Sequence, residues 1–243
     1  MTGRPSLAER LAQVRATLPP QVRLVAVTKQ ISAGVVRLAY NLGIRDFGES
    51  RLQEAQAKQA QLRDLPGITW HFIGHPQTNK TRGILTHFAW IHGVDSLALA
   101  QRLDRTAGEL GLTPRVCLQV KMRPDPQKFG WEPGDLRAAL PVLDTLTHLQ
   151  ICGLMTLPPQ DLSHPEIQTV FQEAQALAAA ITAQGWSRIA LTELSMGMSE
   201  DYLLAIAAGA TIVRLGRILF GERPAEALPN SLQSEHRAAE FLS

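Results

Sequence analysis

The stretch Leu24–Phe47, LVAVTKQISAGVVRLAYNLGIRDF, holds the repeating unit that decides the fold class. Leu24–Thr28 is an apolar run of the kind found in strands that are buried on both faces. Ser32 is a preferred helix-capping residue and Gly43 suits the position after a helix, so a helix is predicted between them. A second strand is predicted at Ile44–Phe47, directly after the helix. Strand, helix and strand in this order predict a parallel βαβ unit.

The same alternation continues along the chain. Six further strands are predicted, at Thr69–Ile73, Trp90–Val94, Arg115–Val120, Leu149–Leu154, Ile189–Leu194 and Thr211–Leu215. The accompanying helices are predicted at Leu52–Leu62, Lys80–His87, Leu97–Leu110, Pro133–Leu143, around Val170–Ile181, at Ser199–Ala208 and in a short turn from Arg217. Eight such units favour an α/β fold with a closed (β/α)8 TIM barrel; an open doubly wound sheet is the alternative. Residues 1–243 are therefore interpreted as a single domain.

Two terminal segments lie outside this pattern. Residues 1–20 are predicted to hold an extra N-terminal helix, because Ser6 and Glu9 have the spacing of a capping box. The apolar stripe of this helix consists of Leu7, Leu11, Val14 and Leu18. Residues 224–243 form a C-terminal tail, with a short helix predicted at Leu232–Phe241.

The composition is that of a globular protein and argues against a nucleic-acid-binding or membrane-spanning protein. The chain has 45% hydrophobic and 19% charged residues and a formal net charge of +2, as an ordinary globular protein does. It has no long basic run with interleaved aromatic residues, so a nucleic-acid partner is not expected. Neither a membrane-spanning apolar run nor a signal peptide is recognisable. Cys117 and Cys152 lie in apolar stretches without CxxC spacing, which indicates buried, reduced thiols and a cytoplasmic location.

The binding site of a TIM barrel lies at the C-terminal ends of its strands. Lys29 follows the apolar run Leu24–Thr28, so its amine is expected to project from a dry strand end. Burial disfavours the ammonium form, and a neutral amine is what Schiff-base chemistry requires. The alternative is a lysine whose side chain reaches solvent from the strand end.

The ends of the seventh and eighth strands are the usual phosphate site of such barrels. Gly216 allows the backbone to approach an anion closely, and the turn after it presents N–H groups. The Ser195 hydroxyl and the Arg217 guanidinium are expected to add hydrogen bonds. A strand-end lysine together with a phosphate site is the minimum needed to bind pyridoxal 5′-phosphate (PLP), an aldehyde that carries a phosphate group.

Arg214 precedes this phosphate site by two residues and lies on the alternation that faces the barrel interior. We expect it to point a fixed positive charge into the mouth of the barrel. The alternative is a salt bridge to Glu193 or Glu49. No metal site is expected, because His71 and His75 have no acidic or cysteine partner nearby in the sequence.

Several stretches along nearly the whole chain, in the right order, carry a resemblance to a known family. They are Val25–Lys29, Phe47–Glu54, Trp70–His75, Asn79–Lys80, Lys128–Gly130, Gly153–Thr156, Leu194–Ser199, Arg214–Gly216 and Phe220–Gly221. In these stretches the chain resembles the YggS/PROSC-type PLP homeostasis proteins. Three positions depart from the family pattern: Ser50 replaces a usual asparagine, Pro76 a usual leucine, and Arg217 a frequent threonine. The phosphate contacts at Arg217 therefore stay open.

The resemblance implies a fold-type III barrel, like the N-terminal domain of alanine racemase, with PLP held as an aldimine on Lys29. It implies that Arg214 faces the pyridine nitrogen of PLP and keeps it unprotonated, which weakens the ring as an electron sink. The expected cofactor-binding residues are Lys29, Ser50, Met155, Ser195, Met196, Arg214, Gly216 and Arg217. Lys128 matches a second family lysine, which either accepts the aldehyde transiently or is a loop lysine in solvent.

The function implied by the resemblance is that of a PLP carrier or buffer, not an enzyme with an established turnover. PLP-dependent apo-enzymes are candidate partners, and a monomer is favoured. The alternative is a PLP-dependent amino-acid racemase, which needs a tyrosine from an additional domain. The two tyrosines of the chain, Tyr40 and Tyr202, fall in predicted helices, which favours the carrier. A Schiff-base aldolase without PLP would leave Arg214 and the phosphate site less well explained.

Overall fold

The computed structural model describes residues 5–221 of the chain. The strands are β1 Arg23–Val27, β2 Asp46–Glu49, β3 Thr69–Phe72, β4 Trp90–Val94, β5 Arg115–Gln119, β6 Gln150–Met155, β7 Ile189–Ser195 and β8 Ile212–Leu215. The helices are α1 Leu7–Thr17, α2 Ala33–Asn41, α3 Leu52–Gln61, α4 Thr81–His87, α5 Leu97–Leu110, α6 Pro133–Leu143, α7 His164–Thr182, α8 Tyr202–Ala207 and α9 Arg217–Phe220. A short 3-10 turn at Thr78–Lys80 precedes α4.

The strands form one closed parallel barrel in the order β1 to β8. Closure is made by β8 pairing with β1, where Val25 lies opposite Arg214 and Ala26 opposite Leu215. The predicted (β/α)8 barrel is thus confirmed, and the open-sheet alternative is wrong. Because β1 and β8 are neighbours, the segments that follow them leave the barrel side by side.

The extra N-terminal helix is confirmed as α1. Ser6 and Glu9 form the predicted capping box, with the backbone N–H of Ser6 donating to a Glu9 carboxylate oxygen at 2.7 Å. Leu11 and Val14 are buried in the core. The helix Leu232–Phe241, predicted for the C-terminal tail, lies outside the described residues.

The second strand is displaced from its predicted position. It runs over Asp46–Glu49 and not over Ile44–Phe47. Gly43 has a φ of +89° after α2, and the N–H of Ile44 donates to the carbonyl of Ala39 at 3.1 Å. Ile44 therefore still closes the helix end, and the strand begins only after it.

Two apolar clusters divide the core. The larger one fills the layer between the barrel and its helices and includes Ala26 and Phe171. The smaller one consists of strand residues that alternate with residues of the outer layer, which places it inside the barrel: Val25, Trp90, Cys117, Cys152, Met155 and Ile212. Both cysteines are free and buried, as predicted, and burial raises the pKa of Cys152 to about 11. No helix within residues 5–221 has the length and apolar character needed to cross a membrane.

Candidate functional site

Lys29 lies two residues beyond the end of β1 and is half-buried. It lines a small cavity of about 150 Å³ together with Ser50, Arg51 and Glu54, so the structure brings the predicted site residues Lys29 and Ser50 together. The next residue, Gln30, has a φ of 62°. This left-handed conformation is costly for a residue with a side chain, so the surrounding structure must hold the turn.

A buried cluster around Lys58 holds that turn. The Lys58 ammonium on α3 donates to the carbonyl of Thr28 at 2.5 Å, to Glu49 Oε1 at 2.7 Å and to Glu54 Oε1 at 2.6 Å. Its three protons are thereby matched by three acceptors. Glu54 also accepts from the N–H of Gln30 at 2.5 Å. These residues, called the Lys58 cluster below, fix the backbone on both sides of Lys29.

The carboxylates of the Lys58 cluster are in unequal surroundings. Burial raises the pKa of Glu49 above its usual range, although hydrogen bonds from Lys58 and Thr28 oppose the shift. Burial also acts to raise the pKa of Glu54, but bonds from Lys58 and the Gln30 N–H outweigh it and lower the pKa. Glu49 is fully buried and depends on this cluster to compensate its charge.

Arg214 on β8 is 4% exposed and points into the barrel. Its Nη1 donates to Ser195 Oγ at 2.7 Å and its Nη2 to the carbonyl of Thr156 at 3.2 Å. Burial lowers its pKa to about 10, which leaves the guanidinium charged at neutral pH.

The alternative of a salt bridge from Arg214 to Glu193 or Glu49 is wrong. Glu193 accepts from the Thr211 hydroxyl at 2.6 Å, and Glu49 belongs to the Lys58 cluster. Within residues 5–221, Arg214 therefore keeps its positive charge without a carboxylate in ion-pair contact.

In the turn after β8, which was predicted to present free N–H groups, two N–H groups converge on a side-chain oxygen of the protein itself. The N–H of Gly216 and the N–H of Ile218 both donate to Ser199 Oγ, at 3.4 and 3.2 Å. One oxygen atom thus accepts from two backbone donors, which is the geometry that binds an anion. Ser199 was not among the predicted site residues, because its position at the start of a helical pattern gave no sign that it reaches the β8 turn.

The two side chains predicted to assist at this turn point elsewhere. Ser195 Oγ is buried between Arg214 and His92, at 2.7 Å from each. The Arg217 guanidinium is about half exposed and pairs with Glu200 at 2.7 Å. Of the predicted phosphate residues, only the Gly216 backbone lies in the turn with its N–H directed at an acceptor.

The two predicted methionines lie in different layers. Met155 belongs to the cluster inside the barrel, whereas Met196 is 1% exposed and packs in the layer between the barrel and its helices. The alternation along β7 explains this, since Ser195 faces inward and the next residue faces outward. The Met196 side chain therefore does not line the barrel interior.

Lys128 and the two tyrosines are engaged outside the barrel interior. Lys128 Nζ donates to the carbonyl of Pro158 at 2.6 Å and pairs with Asp125 at 3.2 Å. Tyr40 donates to the carbonyl of Pro66, and the Tyr202 hydroxyl lies 3.0 Å from that of Thr17. Within residues 5–221, no three His, Cys, Asp or Glu side chains are placed to hold a metal ion.

Comparison of the chain with known proteins identifies its family. A family model for the N-terminal domain of alanine racemase matches residues 4–224. The pyridoxal phosphate homeostasis protein of Synechocystis sp. is 52% identical over 212 residues, which cover 87% of this chain and 96% of that protein.

Solved structures agree with this assignment. PipY of Synechococcus elongatus, with PLP bound, is 54% identical, covers 89% of this chain and 100% of its own, and superposes with a TM-score of 0.85. An alanine racemase of Clostridium difficile shares the fold at 18% identity, with a TM-score of 0.69 over 91% of this chain and 60% of its own. The chain belongs to the alanine racemase N-terminal domain family and, within it, to the pyridoxal phosphate homeostasis proteins.

Proposed function

We propose that this protein binds PLP covalently through Lys29 and acts as a carrier or buffer of the cofactor. The observation that carries the proposal is the convergence of three features on two neighbouring strands. Lys29 follows β1, while Arg214 and the anion-binding turn at Gly216 belong to β8 and the segment after it. The likeness to PipY, whose structure holds PLP, supports the same reading.

The residues present fit PLP chemically. The Lys29 amine forms the covalent bond to the aldehyde, with loss of water. The N–H groups of Gly216 and Ile218, which converge on Ser199 Oγ, are suited to a phosphate oxygen. Arg214 is a buried cation without an ion-pair partner within residues 5–221, and it is suited to donate to the pyridine nitrogen. When bound, PLP supplies a reactive carbonyl and a conjugated ring.

Borohydride reduction of the PLP-loaded protein, followed by peptide mapping, tests the attachment. We expect the pyridoxyl mass on the peptide that contains Lys29 and its loss in Lys29→Ala. Lys128→Ala is the matched control and should keep the label. A label found on Lys128 or Lys121 alone, with none on Lys29, would contradict the proposal.

We propose further that the protein does not racemise or transaminate amino acids at a useful rate. Carbanion chemistry needs acid/base groups on both faces of the substrate, and one positioned group contributes roughly 10²- to 10⁴-fold. The hydroxyls of Tyr40 and Tyr202 are bound to Pro66 and Thr17 on other parts of the molecule. Inversion of L-alanine at many turnovers per minute by pure protein would replace the carrier with the racemase.

The remaining expectations extend this proposal. A carrier delivers PLP to apo-enzymes, which predicts that an apo-transaminase regains activity when mixed with the loaded protein. The two free, buried thiols are compatible with a reducing cytoplasm. A monomer is expected, and light scattering of the loaded protein checks it.

A further inference from the structure

A continuous chain of hydrogen bonds crosses the inside of the barrel from Arg214 to Asp46. Arg214 Nη1 contacts Ser195 Oγ at 2.7 Å, and Ser195 Oγ contacts His92 Nδ1 at 2.7 Å. His92 Nε2 then contacts His71 Nδ1 at 3.0 Å, and His71 Nε2 contacts Asp46 Oδ1 at 2.9 Å. Asp46, His71, His92 and Ser195 are called the histidine chain below. Asp46, His71 and His92 lie on the neighbouring strands β2, β3 and β4, and barrel closure brings Ser195 on β7 to them.

Both ends of the histidine chain dictate its direction. The Arg214 guanidinium can only donate, so the Ser195 oxygen accepts from it and still has its own proton to give to His92 Nδ1. An ionised Asp46 can only accept, so His71 donates through Nε2. A neutral imidazole donates with one nitrogen and accepts with the other, which leaves one solution: His92 Nε2 donates to His71 Nδ1.

The surroundings support these protonation states. His71 and His92 are fully buried, and burial lowers the pKa of both histidines, that of His92 well below its usual range. Burial acts to raise the pKa of Asp46, but bonds from His71 and Arg23 outweigh it and lower the pKa. The chain thus consists of a cation, three neutral links and an anion, with every donor matched to an acceptor.

Asp46 lies at the opposite end of the barrel from the candidate site. It is the first residue of β2, whereas Lys29 and Gly216 follow the C-terminal ends of their strands. Its side chain is 19% exposed and also pairs with Arg23 at 3.0 Å. Asp46 is therefore remote from the candidate site, and the histidine chain links the two through the barrel interior.

We propose that Asp46, His71, His92 and Ser195 are positioning residues that fix the Arg214 guanidinium toward the pyridine nitrogen of PLP. The proposal rests on the proposed function and adds residues that do not touch the cofactor. Ser195 holds Nη1 and the Thr156 carbonyl holds Nη2, so the plane of the guanidinium is set before the ligand arrives. A group that is ordered in advance loses less freedom on binding, which raises affinity.

Two variants test the chain from its ends. Ser195→Ala removes the contact to Arg214, and Asp46→Asn removes the distant charge while keeping the side-chain size. Asp104→Asn is the matched control, because Asp104 pairs with His148 at 3.6 Å on another face of the protein. The measurements are the PLP dissociation constant by equilibrium dialysis, and the pyridine-nitrogen resonance of ¹⁵N-labelled PLP bound to each folded variant.

We expect Ser195→Ala to weaken PLP binding about 5- to 30-fold, which is less than the roughly 10- to 100-fold of a lost hydrogen bond to a charged group, because Arg214 itself stays in place. Asp46→Asn should weaken it about 2- to 5-fold, as a coupling of small size does. Both should move the nitrogen resonance in the same direction, and Asp104→Asn should leave it in place. If folded Asp46→Asn shows the wild-type nitrogen resonance and the wild-type PLP affinity, the proposed positioning role of the histidine chain is wrong. A wild-type protein that fails to bind PLP would instead overturn the proposed function and this inference with it.

Discussion

The candidate site is flanked by two buried cations, Lys58 and Arg214, which the protein stabilises in opposite ways. Lys58 contacts the carboxylates of Glu49 and Glu54 directly, together with one carbonyl. Arg214 contacts a hydroxyl and a carbonyl, and the carboxylate of Asp46 lies at the far end of three neutral links. The first arrangement is a compact ion-pair cluster, and the second is an extended chain of dipoles.

This difference indicates different uses for the two charges. A lysine whose three protons are all taken up by protein acceptors can hold the backbone beside Lys29 but offers nothing to a ligand. An arginine without a carboxylate in contact keeps its charge for an incoming group. We infer that the Lys58 cluster is structural, whereas the histidine chain prepares Arg214 for recognition.

The largest effect is expected for Lys58→Met. The methionine fills similar space but leaves the fully buried Glu49 without its cation. Breaking a buried ion pair in this way costs about 3–5 kcal/mol, so urea unfolding of the PLP-free protein should show a loss of that size. The matched control is Arg37→Met, which breaks the exposed pair with Asp64 and should change stability little. Equal losses in the two variants would contradict the structural role of the cluster.

A smaller effect on stability and a larger one on the ligand are expected for Arg214→Met. No contacting carboxylate is left unpaired among residues 5–221, so the loss is that of two hydrogen bonds, about 1–3 kcal/mol in urea unfolding. PLP affinity should fall about 10- to 100-fold, as for loss of a charge-assisted bond. If PLP binds unchanged to folded Arg214→Met, the recognition role of this arginine is wrong.

The two regions should also differ in their response to pH. Burial holds the pKa of His92 in the folded protein well below 6.5, the value of an exposed histidine in the unfolded chain. Between the folded and unfolded pKa values, the unfolded state therefore binds more protons than the folded state. Stability therefore falls as pH drops below 6.5, by about 1.4 kcal/mol per pH unit for one full proton. The pKa of Glu54 in the folded protein is lowered from 4.5, so the stability that Glu54 contributes is lost only when the pH falls below 4.5.

Urea unfolding of the PLP-free protein between pH 7 and pH 5 measures the slope of stability against pH. The raised pKa of Glu49 contributes to this slope with the opposite sign, so the contribution of His92 is isolated by a variant. His92→Gln removes the titrating ring, and its slope should be shallower by up to one proton. The control is His164→Gln, at the exposed start of α7, which should keep the wild-type slope. An unchanged slope in folded His92→Gln would show that this histidine does not remain neutral in the native protein.

Much of the fold follows from local sequence signals. The bounds of α5 and α6 agree with the predictions because a cap and a proline mark their starts: Ser96 before α5 and Pro133 at the start of α6. The spacing of apolar residues along a helix was less informative about which face of the helix is buried. In α2 the spacing of Val35, Leu38 and Leu42 predicts that these residues form the buried face, yet Leu38 is 57% exposed. Val36 and Ala39 of that helix are buried instead. Which apolar side turns inward depends on packing against the barrel, which spacing does not contain.

Residues of the candidate site could be predicted only where they directly follow a strand that is recognisable in the sequence. Lys29 and Gly216 follow apolar strands directly, so their positions could be inferred from the sequence. The histidine chain could not, because His92 and Ser195 are 103 residues apart and meet only through barrel closure. The Lys58 cluster was missed for a related reason: Lys58 lies in a polar helical stretch that resembles a solvated face, yet its side chain is 7% exposed.

The smallest effect is expected for Gln30→Gly, which probes how the Lys58 cluster holds the turn beside Lys29. Gln30 has a φ of 62°, a conformation that costs a residue with a side chain about 1–2 kcal/mol and glycine almost nothing. Glycine also gains freedom in the unfolded chain, which offsets about 0.5–1 kcal/mol. Urea unfolding should therefore show a gain of about 0–1.5 kcal/mol.

The same substitution placed in Lys58→Met gives the sharper comparison. In the wild-type background the cluster already holds the turn, through the bond from the Gln30 N–H to Glu54, so PLP affinity should change little. In Lys58→Met that support is weakened, and a residue with a side chain would leave the left-handed conformation first. We therefore expect Lys58→Met to bind PLP more weakly than the wild-type protein. Glycine accepts this conformation without strain, so the double variant should recover part of that affinity. Additive effects on PLP binding in the two backgrounds would show that the cluster stabilises the barrel without holding the turn.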